Sequence, residues 1–280
     1  MLSEHIEHSI ESKLQRARGA ARVSTKQFDR ATRLDTLYQD GCCKIRLPRT
    51  HSTALEAVLI NTAGGITGGD QLSWGGAVSA GGHMVLTTQA CERSYRSTGD
   101  TARVETRLAV GEDAHLDWLP QETILFAGSK LNRRLEIDLA AGATLTAIEA
   151  VLLGRDAMGE EARDAMLRDT WRIRREGKLI HAEATLLSAQ DVERDAISLL
   201  AGNRAFATIV HIAASEDRAE ALCAQVRALL PEGAPIAASA NGERLVIRAM
   251  ARTGLALRKM IVPTLLHLSG AGTLPRLWHL

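Results

Sequence analysis

The stretch LAVGEDAHLDW at residues 108–118 decides the fold, because the chain contains two segments that resemble it. They are VSAGGHMVL at residues 78–86 and LAAGATLTA at residues 139–147. The glycines of the three segments step by 30 (111 minus 81) and by 31 (142 minus 111). A strand, a glycine-containing turn and a second strand that recur at this period predict stacked β-coils or a sandwich of similar hairpins. An ordinary β-meander is the alternative that the pattern leaves open.

We therefore expect a mainly β protein, a β-helix-like stack or sandwich of many short strands, with about two α-helices in its C-terminal half. Residues 216–230 form the clearer helix, because apolar residues recur three or four apart between a cap at Ser215 and a stop at Pro231. A second helix is predicted from about 255 to 266. Pro263 lies inside it and is expected to kink or interrupt it.

The domain organisation follows from these elements. Residues 1–18 are polar and charged and are predicted to form a flexible arm, whereas 19–280 are predicted to form a single β-rich domain. Two strand patterns joined by Asn241-Gly242 predict a hairpin between the helices. The region at about 215–268 is thus a helix, a hairpin and a helix.

The composition excludes several classes of function. The formal net charge is +1, which provides no field for binding nucleic acid or an anionic membrane. Apolar residues make up 45% of the chain and aromatic residues only 3%, so the core must be built mainly from aliphatic side chains. The four cysteines, of which Cys42 and Cys43 are adjacent, do not suggest a disulfide framework. A cytoplasmic protein that binds other proteins or ions is the class that remains.

A glycine-rich loop at residues 64–69 first suggests a phosphate cradle, because backbone amides in such loops can surround an anion. The loop lacks the lysine and hydroxyl residue of a nucleotide loop, and a strand pattern resumes at Leu72. A strained turn between two strands is the favoured interpretation, and a phosphate- or nucleotide-binding enzyme is the alternative. Asp70 could cap this turn or face a polar channel.

Residues 87–97 are dense in hydrogen-bonding groups, with Arg93, Tyr95 and Arg96 crowded after an apolar strand. Such density is typical of a buried network or an interface. Cys91 has no histidine near it in the sequence, so a core position is favoured over a catalytic thiol.

Carboxylates also occur in apolar surroundings. Glu122 and Glu149 lie in such stretches, and residues 154–161 combine Arg155 with three further carboxylates. A carboxylate removed from water needs a partner, so these groups predict either buried ion pairs or a polar lining for a divalent ion. The nine histidines form no spaced ligand set, although His5 and His8 could bind a metal adventitiously.

Four motifs, taken in order along the chain, resemble the signature of the urease accessory protein D family (UreD, also called UreH). They are GGITGGD at 64–70, TT to YR at 87–96, WLPQE at 118–122 and GRDAMGE at 154–160. The similarity continues through RREGKL at 174–179 and LPRLW at 274–278, so it covers roughly residues 19–280. The chain departs from the family at CCKIR, residues 42–46, and at Ile148, where a tryptophan is frequent.

This resemblance implies a scaffold without enzyme activity that acts in urease maturation. It implies assembly with accessory proteins F and G, of which G is the GTPase, and docking on apo-urease. In this picture nickel(II) is bound only transiently while it passes to urease, and no cofactor is held tightly.

Within this family-based hypothesis, oxygen-bearing side chains line a wet internal path for nickel. The predicted path residues are Asp70, Thr88, Glu122, Glu149 and Glu160. A second set is expected to be structural or to face partners, because cations repel a passing divalent ion. This second set is Arg93, Tyr95, Arg96, Gln121 and Arg155.

Overall fold

Seventeen strands and two helices form the part of the chain that the structure, a computed structural model, describes: residues 15–155, 158–188 and 194–279. The strands are β1 (Arg18–Phe28), β2 (Ala31–Gly41), β3 (Cys43–Arg46), β4 (Leu55–Asn61), β5 (Gln71–Val78), β6 (His83–Thr88), β7 (Glu92–Ser94), β8 (Ala102–Val110), β9 (His115–Leu119), β10 (Thr123–Leu125), β11 (Lys130–Leu139), β12 (Thr144–Leu153), β13 (Met166–Arg175), β14 (Lys178–Leu187), β15 (Ala205–Ile212), β16 (Ile236–Asn241) and β17 (Arg244–Ala251). The helices are α1 (Glu216–Leu229) and α2 (Gly254–Leu268), and a 3₁₀ turn follows at Arg276–Trp278.

The central strands wind as a solenoid between two sheets. Sheet A has the order β14-β13-β11-β8-β5-β1-β2, and sheet B runs β16-β17-β15-β12-β9-β6-β4-β3, with the short strands β10 and β7 added beside β12. From β4 to β13 the long strands alternate between the sheets, and each pairs in parallel with the strand one coil away. A meander would pair its strands antiparallel, so the stacked-coil prediction is confirmed and the meander alternative is excluded.

The glycine repeat marks the turns of this solenoid. Gly81, Gly111 and Gly142 lie in the turns that lead from β5 to β6, from β8 to β9 and from β11 to β12. Gly81 and Gly142 have φ values of +63° and +66°, a region that side-chain-bearing residues seldom adopt. Each segment of the repeat is therefore one corner of one coil.

The interior between the sheets is aliphatic, as the composition predicts. Along β11, buried Leu135, Ile137 and Leu139 alternate with residues nearer to solvent. Three buried tryptophans, Trp74, Trp118 and Trp171, add large apolar area to the same core. Burying one such aliphatic side chain contributes about 1.5–3 kcal/mol, so the coils are stabilised mainly by this packing.

A C-terminal unit extends sheet B and covers its other face. Strands β15, β17 and β16 continue sheet B antiparallel from β12, and both helices pack on them. Ser215 caps α1 by accepting a hydrogen bond from the Arg218 amide, as predicted. The hairpin is also present, but its two-residue turn is Gly242-Glu243, because Asn241 still pairs with Arg244.

Pro263 does not interrupt α2, so the interruption that the sequence allowed does not occur. The helix is continuous from Gly254 to Leu268. Its apolar face, including Leu257, Ile261 and Leu265, is fully buried against the C-terminal unit, and this packing outweighs the backbone hydrogen bond that proline cannot donate.

Most of the predicted N-terminal arm, residues 1–14, lies outside the described residues. Within the described part of the chain, neither helix is long and apolar enough to span a bilayer.

Candidate functional site

Four chain segments that the sequence singles out occupy one corner of the solenoid. They are the connections from sheet B to sheet A, at residues 62–70, 89–101, 120–129 and 154–165, which we call the corner stack. We call these four segments, in chain order, the first to fourth levels of the stack. Backbone hydrogen bonds join each level to the next. Ile66 donates to the Arg93 carbonyl (2.8 Å), Phe126 donates to the Ser94 carbonyl (3.0 Å), and Gly154 donates to the Leu125 carbonyl (2.8 Å). The motifs are thus consecutive levels of a single structure.

The glycine-rich loop forms the first level and serves close packing. A Cβ atom on Gly65, whose φ is +142°, would overlap the Tyr95 ring of the second level. Asp70 is buried, and its carboxylate accepts hydrogen bonds from the Thr67 amide (2.7 Å) and the Ala17 amide (2.8 Å). Asp70 therefore caps the turn, and the Thr67 amide is not free to hold a phosphate.

The third level brings Gln121 and Glu122 beside Thr88, the last residue of β6. The Gln121 amide donates to Thr88 Oγ1 (2.8 Å). Arg258 of α2 donates through Nη1 to Gln121 Oε1 (2.8 Å) and to both oxygens of the buried Glu122 (3.1 Å each). Its guanidinium also lies 4.8 Å from the centre of the Trp278 ring. The tryptophan of the C-terminal LPRLW motif therefore packs against the arginine of the Arg258–Glu122 ion pair.

Cys91 lies beside the same carboxylate and is half-buried. Its Sγ donates to Glu122 Oε2 at 3.4 Å. Burial raises the pKa of the Cys91 thiol to about 11, and the charge of Glu122 adds to the shift. A thiol that stays protonated at neutral pH is a poor nucleophile, which agrees with the non-catalytic interpretation.

Glu149, on β12, belongs to a separate buried network that joins the two sheets. Its Oε2 lies 2.5 Å from Arg133 Nη1, and its Oε1 accepts a hydrogen bond from Trp118 Nε1 (3.0 Å). Arg133 also contacts the Asp169 carboxylate through Nη2 (2.6 Å). Burial, opposed by Arg133 and reinforced by Asp169, raises the pKa of Glu149 above its usual range. Two carboxylates therefore share one arginine here.

Glu160 forms the fourth level and lies near the surface. Its oxygens accept hydrogen bonds from Arg155 Nε (2.7 Å) and from the Ala127 amide (3.1 Å). Arg155 lies over the Phe126 ring, 4.7 Å from its centre, and the Tyr95 and Phe126 rings are nearly perpendicular with their centres 5.1 Å apart. Arg93 and Arg96 are exposed beside them. This surface combines aromatic rings with arginines, as protein interfaces do.

The predicted path residues therefore do not form one cluster. Thr88 and Glu122 meet through Gln121, whereas Asp70, Glu149 and Glu160 each have separate partners. The levels nevertheless follow one another along the solenoid, from Asp70 at the first to Glu160 at the fourth. Their order in the sequence is their order in space.

The structure also shows a group that sequence reasoning missed: His83, His115 and Asp117. Their ligand atoms lie within 4.8 Å of one another, a proximity that the histidine spacing in the sequence did not indicate. His115 pairs with His83 between parallel strands β6 and β9. The interval between these two positions is close to the glycine period, and this is the signal that could have found the pair.

Asp117 is fully buried between the two imidazoles. Its Oδ2 lies 2.9 Å from His83 Nε2, and its Oδ1 lies 3.0 Å from His115 Nε2. Burial opposes the charge of Asp117, but the neighbouring imidazoles outweigh it and hold the pKa of this carboxyl well below its usual range. An ionised carboxylate only accepts hydrogen bonds, so both Nε2 atoms donate to Asp117 here. Once these two protons are lost, the group offers two nitrogen atoms and a carboxylate oxygen, which are ligands suited to a metal ion.

Comparison with known proteins agrees with the motifs on the corner stack. The family model for the UreD urease accessory protein matches residues 17–279. The chain belongs to the UreD family. A relative from Chelativorans sp. (strain BNC1), named urease accessory protein UreD, is 60% identical over 265 residues, which cover 95% of each chain.

Further relatives carry the same name. The protein of Agrobacterium fabrum is 46% identical over 95% of this chain and 92% of its own length, and that of Sinorhizobium medicae is 47% identical over 95% and 97%. Membership in the UreD family supports a role in urease maturation. The match covers the solenoid and the C-terminal unit together.

Proposed function

We propose that this protein is a non-catalytic scaffold of urease maturation, which acts with accessory proteins F and G in the cytoplasm and passes nickel to apo-urease. The observation that carries the proposal is the UreD family match across residues 17–279, which spans every level of the corner stack. An accessory protein that guides an ion needs a rigid frame with ordered polar groups. The parallel coils provide such a frame.

Within this proposal, nickel moves along the solenoid past Asp70, Thr88, Glu122, Glu149 and Glu160, of which Thr88 on β6 and Glu149 on β12 lie outside the corner stack. Oxygen donors at successive levels of the solenoid support this route. Three of the carboxylates already have an arginine partner: Arg258 for Glu122, Arg133 for Glu149 and Arg155 for Glu160. A carboxylate that must leave an arginine to meet an ion holds that ion weakly, and weak binding suits transfer.

The test uses cells that carry the urease operon, with this protein present, deleted or replaced by the double variant Glu122→Gln, Glu149→Gln. Glutamine has nearly the same size as glutamate, so the substitutions remove the negative charges beside Arg258 and Arg133 without creating a cavity. We expect deletion to give inactive, nickel-poor urease. The double variant is expected to assemble with F and G but to load less nickel.

A matched control removes two negative charges from the outer face of sheet A, through Glu105→Gln and Asp138→Asn. Both residues lie near solvent, and this control should support normal activation. Full urease activity on deletion would contradict the maturation role. Normal nickel loading by the Glu122/Glu149 variant would contradict only the proposed route.

A further inference from the structure

A second polar group lies away from the corner stack, at the beginnings of β6 and β9 in sheet B. His83 and Asp117 approach to 2.9 Å, and His115 and Asp117 approach to 3.0 Å. Neighbouring ligands of a divalent metal bound at about 2.0–2.2 Å are separated by about 3.0–3.4 Å. Each imidazole nitrogen therefore already lies at about this distance from a carboxylate oxygen, and all the candidate ligand atoms lie within 4.8 Å of one another.

Surrounding residues hold two of the candidate ligands in place. His115 Nδ1 lies 2.7 Å from Thr144 Oγ1, so that its Nε2 faces Asp117. Ser269, which caps the C-terminus of α2, donates to Asp117 Oδ2 at 3.1 Å. A Cβ on Gly270 would lie 2.5 Å from the His115 ring, so the glycine lets α2 end against the imidazole. Such outer contacts are typical of sites that orient metal ligands.

Solvent reaches the two imidazoles but not the carboxylate. The side chains of His83 and His115 are 20% and 15% exposed, whereas Asp117 is fully buried. An ion arriving from water would therefore meet the imidazoles first, with the carboxylate behind them. Water can fill the remaining coordination positions, which leaves the ion exchangeable.

We propose that His83, His115 and Asp117 form a binding site for one divalent transition-metal ion. Two imidazoles and one carboxylate favour nickel, zinc or copper over magnesium and calcium, which prefer all-oxygen shells. The proposal rests on this geometry and not on the urease role or on the path through the corner stack. It is testable on the isolated chain.

The experiment is calorimetric titration of the full chain with Ni²⁺ and, separately, with Zn²⁺ and Mg²⁺. All proteins carry His5→Gln and His8→Gln, which removes the N-terminal histidines as competing ligands. One ion of nickel or zinc is expected per chain, with no detectable magnesium binding. His83→Gln and His115→Gln should each weaken binding at least about tenfold.

The matched control is His51→Gln, at an exposed histidine outside the group, which should leave the affinity unchanged. Affinity that is equal in the His83, His115 and His51 variants would overturn the proposal. Should a ligand variant fail to fold, proton–nitrogen spectra of the histidine side chains provide the second test, with Zn²⁺ added to protein that retains all three ligands. Shifts at His83 and His115 would support the site, and their absence would overturn it.

Discussion

At the scale of single residues, Glu92 has an unusual environment for a carboxylate. It lies in the second level of the corner stack, where Asn61 Nδ2 donates to both of its oxygens at 3.2 and 3.3 Å. Burial raises the pKa of Glu92 to about 7, the Asn61 hydrogen bond opposes the shift, and the charge of Asp70 adds to it. A glutamate in the unfolded chain has a pKa of about 4.3. The folded state thus binds this proton more tightly than the unfolded state.

The stability linked to Glu92 is therefore fully present below about pH 4.3 and is lost as the pH rises through 7. Glutamine does not titrate, so the Glu92→Gln variant lacks this loss. The difference in free energy of unfolding between variant and wild type is expected to shift in favour of the variant by roughly 1–3 kcal/mol from pH 5 to pH 8. Urea unfolding of both proteins across this range measures the difference. The same substitution at the more exposed Glu105 is the control, and a flat profile for Glu92→Gln would contradict the assignment.

At the scale of elements, the first turn of the corner stack contains two neighbouring glycines with different constraints. Gly64 has φ +76° and open space around its Cα, whereas Gly65 has φ +142° and lies against the Tyr95 ring and the Arg93 carbonyl. Alanine at either position meets an unfavourable backbone conformation. Only at position 65 does the added methyl group also overlap the next level.

We expect Gly64→Ala to lower the free energy of unfolding by about 1–2 kcal/mol. Gly65→Ala should lower it by roughly 2–5 kcal/mol, because overpacking adds to the backbone strain. Urea unfolding of the two variants compares them directly. Equal losses of unfolding free energy in the two variants would mean that only the backbone conformation requires glycine at these positions, and that packing against Tyr95 does not.

At the scale of the whole molecule, the glycine repeat predicts stacked coils or a sandwich of hairpins, because a turn residue that recurs at a fixed interval indicates a turn that recurs. The parallel pairing of the strands then excludes the meander that the pattern left open. The period brings His115 near His83, but the exact register could not be predicted, since the coils differ in length. His115 pairs with His83 on one side and with Thr144 on the other, at unequal intervals along the chain. The sequence likewise showed that Glu122 needed a partner, but that partner, Arg258, comes from α2 near the other end of the chain. Long-range pairing of this kind depends on how the helices fold back over sheet B.

The outer surface of the corner stack is where we expect a partner protein to dock. Arg93 and Arg96 are exposed there beside Tyr95, whose side chain is 37% exposed and packs on Phe126. Arginine and tyrosine dominate the energetics of many interfaces. The charge reversal Arg93→Glu is therefore expected to weaken assembly with the accessory proteins while changing the free energy of unfolding by less than about 0.5 kcal/mol.

Co-purification from cells that carry the urease operon, together with urea unfolding of the isolated variant, measures both quantities. Arg168→Glu provides the matched control, because Arg168 is also exposed but lies on β13 in sheet A. Loss of assembly in the Arg93 variant alone places the partner on the corner stack, directly over the proposed nickel route. Loss in both variants would instead indicate a general effect of charge, and retention in both would place the docking surface elsewhere on the solenoid.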